Sequence, residues 1–175
     1  MIGYYEFSEA IYDHFTAEEN TNTIMFGESS EIDTKKQTIF PLAHAYIDGV
    51  NFPTDALLSF VLTITVLDIV NINKKGISTV PLVERWKGLD NRQDIYNTQL
   101  ATLEKFTKAV RVGTLSDLDY EVLSISDAEK IVDARGNKLF GWEQVYTIQI
   151  QNTVTSCETA AVVYEDDVYE PDVYE

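Results

Sequence analysis

The chain has little cysteine and little positive charge: one cysteine, Cys157, and 13 Lys and Arg residues against 29 Asp and Glu residues. A single cysteine excludes an internal disulfide, and we expect synthesis in a reducing cytoplasm. The formal net charge of −16 argues against free binding to nucleic acid, because such binding depends on neutralising phosphates. It argues against anionic membrane surfaces for the same reason, and it favours basic protein partners.

Long apolar runs and recognisable site motifs are also missing. Polar residues interrupt the longest apolar stretch, Leu57–Val70, so no segment approaches the roughly 20 apolar residues of a membrane span. Residues Met1–Glu6 have neither the positive region nor the apolar region of a signal peptide. The glycines of the loops stand singly, and no HExxH, GxSxG, CxxC or EF-hand spacing occurs. These features predict a protein that is not an enzyme and that uses no cofactor and no metal.

Four residues are candidates for catalysis or ligand binding. His14 and His44 fall on apolar stripes of different predicted elements, which is typical of partly buried histidines with hydrogen-bond partners. Cys157 has no neighbouring base or cation in sequence to lower the pKa of its thiol, as a reactive cysteine requires. Asp68 closes a strand, where a carboxylate either binds a ligand or, more often, caps a turn. An enzyme that uses His44 or Asp68 in a cleft is therefore the least favoured hypothesis.

Hydrophobic periodicity predicts two helices and several strands. One apolar stripe marks the first helix, and Gly113 is a suitable C-terminal cap for the second. The stripes comprise Tyr4, Phe7, Ile11, His14 and Phe15 in the first helix and Tyr96, Leu100, Leu103, Thr107 and Val110 in the second. The predicted elements are a helix over 4–17, a short strand over Thr23–Phe26, strands over Phe40–Asp48 and Phe60–Leu67, a helix over Arg92–Val112, and strands over Leu118–Ile125 and Phe140–Ile150.

This order predicts an α+β fold, in which two amphipathic helices pack on one face of an antiparallel or mixed β-sheet. Alternating apolar and semi-polar side chains fit antiparallel strands with one wetter face better than buried parallel strands. We expect one domain over residues 1–152 and an extended acidic C-terminal arm over residues 153–175. Ala134–Asn137 is a predicted turn, and Asn71–Asn91 a long connection of the kind that is usually functional or ordered by partners.

The C-terminal arm repeats Val-Tyr-Glu every five residues, a spacing that keeps neither one helix face nor one strand face. In an extended chain successive tyrosines lie about 16 Å apart. Such a strap suits separate pockets for the rings, while the acids meet Lys or Arg on the partner. A solvated acidic tail and weak calcium binding are the alternatives. The predicted interaction residues are Tyr164, Glu165, Asp166, Asp167, Tyr169, Glu170, Asp172, Tyr174 and Glu175.

The order of elements resembles that of phage tail-terminator and tail-completion proteins, which form rings at the head–tail neck of a virion. The likeness covers residues 1–152. It is carried by the amphipathic helix Tyr4–Phe15, Phe40-Pro41-Leu42 at the start of a strand, the strand Phe60–Leu67 that ends at Asp68, the helix Arg92–Val112, and the closing strands Leu118–Ile125 and Phe140–Ile150. The arm after Thr153 is outside the family pattern, so a tail terminator and a neck ring that laces onto a portal, adaptor or neighbouring ring stay equally open.

The resemblance implies a cyclic homo-oligomer of 6 or 12 copies in the virion neck, with DNA passing through the lumen without specific binding and no membrane contact. An acidic surface then has a use, since like charge discourages DNA from adhering. Lys74, Lys75, Trp86 and Lys87 of the long connection are candidates for contact with a partner ring or the DNA, with a solvated loop as the alternative. The competing function is an acidic, non-enzymatic binding module that captures a basic protein through the C-terminal strap.

Overall fold

The structure, a computed structural model, describes residues 4–28, 39–70, 91–115, 119–134 and 138–151. Two helices and six strands form an α+β fold with a mixed sheet, as the sequence predicts. The elements in chain order are α1 (Tyr4–Thr16), β1 (Thr23–Phe26), β2 (Leu42–Thr54), β3 (Leu57–Ile69), α2 (Arg92–Val112), β4 (Tyr120–Ile125), β5 (Glu129–Ala134) and β6 (Leu139–Gln151).

The sheet has the order β1-β2-β3-β6-β4, and β5 also pairs with β6. Strands β2, β3, β6 and β4 pair antiparallel, whereas β1 runs parallel to β2. Strand β5 pairs with the first half of β6 and β4 with the second half, so these two short strands lie end to end along one edge. The three long strands β2, β3 and β6 have 13 residues each and form the body of the sheet.

Both helices pack on the same face of the sheet, as predicted, and the main core lies between the two layers. Phe7 stacks on Phe60 of β3 at 5.0 Å between ring centroids, and Phe15 stacks on Phe106 of α2 at 5.0 Å. Apolar side chains from the central strands complete this core. Burial of each such side chain stabilises the fold by roughly 1.5–3 kcal/mol. These side chains include Phe60, Leu62, Ile64, Val66, Tyr146, Ile148 and Ile150.

The opposite face of the sheet carries a smaller apolar cluster at one end, formed by Phe40, Leu42, Leu67 and Leu139. Gly141 pairs with Leu67 in this region. A Cβ atom at Gly141 would overlap the carbonyl oxygen of Val66, so only glycine allows β6 to approach β3 this closely here. The rest of this face is wetter, in agreement with the semi-polar alternation of the strands.

The helix bounds and the cap of α2 were predicted well. Gly113 has φ of 76°, in the left-handed region, and the cap closes with backbone hydrogen bonds to the carbonyl oxygens of Ala109 and Val110. Strands β2, β3 and β6 are longer than predicted, and β4 starts at Tyr120 rather than Leu118. Pairing with a long neighbour extends each strand beyond the segment in which alternation is visible.

Three predictions of local structure were wrong. Tyr4 of α1 and Leu100 of α2 belong to the predicted apolar stripes, but they are half exposed. The buried face of each helix is centred on other residues of the helix. The prediction missed β5, which has weak alternation and forms by pairing with β6. The buried residues are Phe7, Ala10, Ile11 and Phe15 in α1 and Ile95, Tyr96, Gln99, Thr102, Leu103, Phe106 and Val110 in α2.

Candidate protein-interaction surface

The β2–β3 hairpin carries Phe52, the most exposed large apolar side chain among the described strands. Only the first half of β2 is buried, and its second half runs almost wholly in solvent. Phe52 is 67% exposed and Val50 is 42% exposed. The Asn51 side chain accepts a hydrogen bond from the Phe52 backbone N–H at 2.9 Å, which holds the chain where the β2–β3 register shifts. An aromatic side chain exposed to solvent on a strand is a candidate contact for another protein.

The outer edge of β2 is covered for only part of its length. Strand β1 pairs with Leu42–Ala45, and its last contact is a hydrogen bond from Gly27 N–H to the Ala45 carbonyl oxygen at 3.3 Å. From Tyr46 to Thr54, no strand within the described ranges pairs with this edge. Unpaired strand edges offer backbone donors and acceptors to an added strand. The exposed apolar residues and the open edge thus occupy the same half of β2.

The opposite edge of the sheet, formed by β4 and β5, also exposes apolar side chains. Leu123 in β4 is 48% exposed and Val132 in β5 is 61% exposed. A register shift between Val122 and Ser124 marks an irregularity at Leu123, which places this side chain outside the regular alternation. Both sheet edges therefore carry apolar residues that the described fold does not bury.

Helix α1 adds a third exposed region, made of tyrosines and acids. Tyr5 is 85% exposed, and Tyr4 and Tyr12 are about half exposed. Tyr12 also lines a cleft of about 230 Å³ between the end of α1 and β1, together with Thr16, Thr21 and Thr23 among others. Tyrosine provides a large contact area with few rotatable bonds, which suits interfaces. Glu6, Glu9 and Asp13 are exposed on the same helix.

His44 lies on the sheet face that the helices leave free and is 3% exposed. Its Nε2 lies 2.7 Å from the carbonyl oxygen of Gly27, so the ring ties β2 to the end of β1. His44 pairs with Thr65 of β3, and the Thr65 hydroxyl donates a hydrogen bond to Glu143 Oε2 at 2.9 Å. His44 is not among the residues that line the α1–β1 cleft. This environment matches the interpretation of a buried histidine with a hydrogen-bond partner.

His14, in the last turn of α1, packs edge-on against Phe15 and Phe106. No described residue lies within hydrogen-bond distance of its buried Nε2. Burial lowers the pKa of the His14 imidazole, and the nearby Glu18 opposes this effect only in part. Glu18 in turn pairs with Lys105 of α2 at 2.6 Å, which joins the two helices at this end. His14 is therefore an uncharged member of the helix–helix contact.

Asp68 is the penultimate residue of β3, and its Oδ1 accepts a hydrogen bond from the Ile69 backbone N–H at 2.7 Å. The connection after Val70, where a capped turn was expected, lies outside the described residues, so the capping interpretation stays a prediction. Among the described residues, no cluster of three or more His, Cys, Asp or Glu side chains is arranged to hold a metal ion. Neither of the two described helices has the length and apolar character that crossing a membrane requires.

Cys157 and the predicted interaction residues lie outside the described ranges. The predicted interaction residues are Tyr164, Glu165, Asp166, Asp167, Tyr169, Glu170, Asp172, Tyr174 and Glu175 of the strap and Lys74, Lys75, Trp86 and Lys87 of the loop. They stay predictions. The described surface adds candidates that sequence reasoning missed: Val50, Phe52 and Leu123. The available signal was Phe52, an aromatic residue in the segment between the predicted strands Phe40–Asp48 and Phe60–Leu67.

No protein-family model matches this chain, and no curated protein matches it either.

Proposed function

We propose that this protein is a structural subunit of the head–tail neck of a tailed bacteriophage virion, as a tail terminator or neck ring. In this role it forms a ring of 6 or 12 copies around the DNA channel and joins adjacent portal, adaptor, neck or tail proteins. It is made in the host cytoplasm and works without catalysis. The neck location rests on the resemblance in the order of elements, whereas the described surface supports the assembly role.

One observation carries the assembly role: the second half of β2 is exposed, with Phe52 and Val50 in solvent. Exposing such side chains costs free energy in a monomer, which a partner surface recovers. Their burial in a partner contributes roughly 1.5–3 kcal/mol per side chain. The backbone N–H of Phe52 donates to the Asn51 side chain, and a strand that is already formed needs little backbone ordering on binding.

The acidic composition fits the same role. A lumen that DNA must traverse works best without adhesion, and a net charge of −16 disfavours binding to phosphates. The alternative function, an acidic module that captures a basic protein through the strap, uses the same charge. The two functions differ in self-association, because only the ring subunit requires cyclic contacts between copies.

The test is the symmetry of the protein in assembled particles, measured by electron-microscopy averaging with light scattering on the purified protein. We expect a closed ring, sixfold for a tail terminator and twelvefold for a head-proximal connector. Phe52→Ser should reduce ring formation and leave the unfolding midpoint unchanged. Val112→Ser is the matched control, because Val112 is 65% exposed at the end of α2, away from the hairpin. A protein without cyclic symmetry contradicts the proposal and favours the binding module.

A further inference from the structure

In the part of the chain that the structure describes, no strand pairs with the outer edge of β2 over Tyr46–Thr54 or with the outer edge of β4, and these two edges lie at the same height. Strand pairing aligns Asn51 of β2 with Ser59, Ser59 with Gln149, and Gln149 with Glu121 of β4. One row therefore crosses the sheet from one edge to the other. The open stretch of β2, Tyr46–Thr54, and the whole of β4 occupy the same half of the long strands, whereas β1 and β5 occupy the other half.

The directions of the two edge strands are also complementary. Each step from β2 to β3, from β3 to β6 and from β6 to β4 is antiparallel, so β2 and β4 run in opposite directions. If two copies stand side by side in the same orientation, β2 of one copy meets β4 of the next as an antiparallel pair. Antiparallel pairing is slightly more stable per residue than parallel pairing.

We propose that the open edge of β2 binds the β4 edge of a second copy of this chain, so that the sheet continues from one subunit to the next. The contact is heterologous, because two different edges meet. A heterologous contact repeats around an axis and closes into a ring when the rotation allows. The inference rests on the proposed function in that it names the contact by which the neck ring is built.

Side chains at both edges favour pairing between β2 of one copy and β4 of a second copy. Val50 and Phe52 on β2 and Leu123 on β4 are exposed in one copy and would share a new apolar contact between copies. Cross-strand pairs of this kind contribute roughly 0.2–1 kcal/mol each, in addition to the backbone hydrogen bonds of the new ladder. Two features limit the length of the new hydrogen-bond ladder: the register shift between Val122 and Ser124 of β4, and Pro53 of β2. Pairing is therefore restricted to one short contact.

The charge of the protein opposes this contact and predicts its salt dependence. Each copy has a net charge of −16, and Asp48 and Glu121 stand on the two edges. Like charges repel across roughly a Debye length, about 10 Å at 0.1 M salt. Added NaCl should therefore strengthen the pairing of the edges, which is the opposite of what an interface built on ion pairs would show.

The experiment uses cysteine pairs in the full chain with the native cysteine replaced by Cys157→Ser. Asn51→Cys and Glu121→Cys place one thiol on each edge. Within one copy these positions are separated by three strand spacings, about 14 Å, which exceeds the roughly 7 Å limit between Cα atoms in a disulfide. Oxidation of the two thiols to a disulfide by a mild added oxidant should therefore link only neighbouring copies and give a ladder of linked copies, and the ladder should grow with added NaCl.

The matched control combines Asn51→Cys with Gln93→Cys, which is exposed on the first turn of α2. A ladder that is absent, or equally strong in this control, overturns the inference. A second pair of variants tests the edge itself: Leu123→Lys should abolish the ladder, and Leu100→Lys should preserve it. Leu123 and Leu100 are similarly exposed, at 48% and 40%, and thermal unfolding checks that both variants fold.

The outcomes separate this inference from the proposed function. Closed rings without cross-links between Asn51→Cys and Glu121→Cys overturn the edge pairing and leave the neck subunit standing. Cross-linked dimers or open chains that never close into rings support the edge pairing and contradict the neck ring. A strictly monomeric protein without cross-links contradicts both.

Discussion

The hydroxyl of Tyr146 lies 2.8 Å from Thr107 Oγ1, which joins the centre of β6 to α2 across the main core. Tyr146 is completely buried, its ring packs edge-on against Phe106 at 5.2 Å, and its hydroxyl donates to Gln144 Oε1 at 2.8 Å. Burial raises the pKa of the Tyr146 phenol well above its usual value, so the hydroxyl stays a donor at neutral pH. A polar contact thus fixes how α2 sits on an otherwise apolar sheet face.

We expect Tyr146→Phe to lower the free energy of unfolding by about 1 kcal/mol, because the variant loses a buried hydrogen bond and keeps the ring. Urea denaturation measures the change. Tyr12→Phe is the control, since Tyr12 is half exposed and should change stability by far less. Equal stability of the wild type and Tyr146→Phe would show that the hydrogen bonds of the hydroxyl with Thr107 and Gln144 make no net contribution to stability.

We expect Gly141→Ala to destabilise the protein by about 1–3 kcal/mol, because the added methyl group overlaps the Val66 carbonyl oxygen and forces β6 away from β3. The backbone there belongs to the central strand pair and has little room to shift. Gly49→Ala is the control, because no atom lies within 4 Å of the position that its Cβ would take. Thermal unfolding of the two variants should separate them clearly, and similar melting temperatures would contradict the close approach at Gly141.

His14 should make stability depend on pH. Its pKa is lower in the folded protein than the ordinary value of 6.5, so the unfolded chain binds more protons below pH 6.5. The free energy of unfolding should therefore fall as the pH drops through 6.5 toward the folded pKa, with no contribution from His14 at higher pH.

The variant His14→Leu tests this effect by removing both the titrating group and its buried, unpartnered Nε2. Denaturation of the wild type and the variant at pH values on both sides of 6.5 gives two slopes. The variant should lose less stability on acidification, and it should be at least as stable as the wild type below pH 6. Parallel slopes would mean that the imidazole is charged, or solvated, in the folded state.

The strap prediction is tested by the triple variant Tyr164→Ala, Tyr169→Ala and Tyr174→Ala. Assembly should weaken while the unfolding midpoint of the domain stays unchanged, because aromatic anchors are expected to enter partner pockets. The comparison variant Asp166→Asn, Asp167→Asn and Asp172→Asn removes charge and keeps the rings. Unchanged assembly in the tyrosine variant would refute docking through these anchors, and a defect only in the charge variant would indicate an electrostatic strap.

Local features of the sequence were sufficient to predict the helices and the central strands. The bounds of α2 follow from its apolar stripe and from Gly113, whose left-handed backbone ends the helix. The alternation from Phe60 to Leu67 predicted the centre of β3 because side chains of one strand point alternately to the two faces. These properties depend on neighbours within a few residues, whereas the ends of the strands depend on pairing with distant segments.

Tertiary structure decided which surfaces the elements bury and which they leave open. In β2, the face with Ala43 and Ala45 joins the main core, and the face with Leu42 and His44 does not, because the helices supply bulky side chains such as Phe7 and Phe15 opposite the alanines. Alternation alone does not distinguish these faces.

The same holds for the candidate site. Asn51 and Glu121 lie at the two ends of one row of the sheet although they are 70 residues apart in sequence. This placement depends on pairing between distant strands, which has no local signature in the sequence. The exposure of Phe52 is likewise not visible from the residues around it, because it depends on which part of β2 the rest of the fold buries. The sequence by itself determined the two helices, the centres of the long strands, the acidic charge and the single thiol, because each is a property of residues or of their near neighbours. Only the tertiary structure decided the open edges and the exposed hairpin, because they result from which strands pair and over what length.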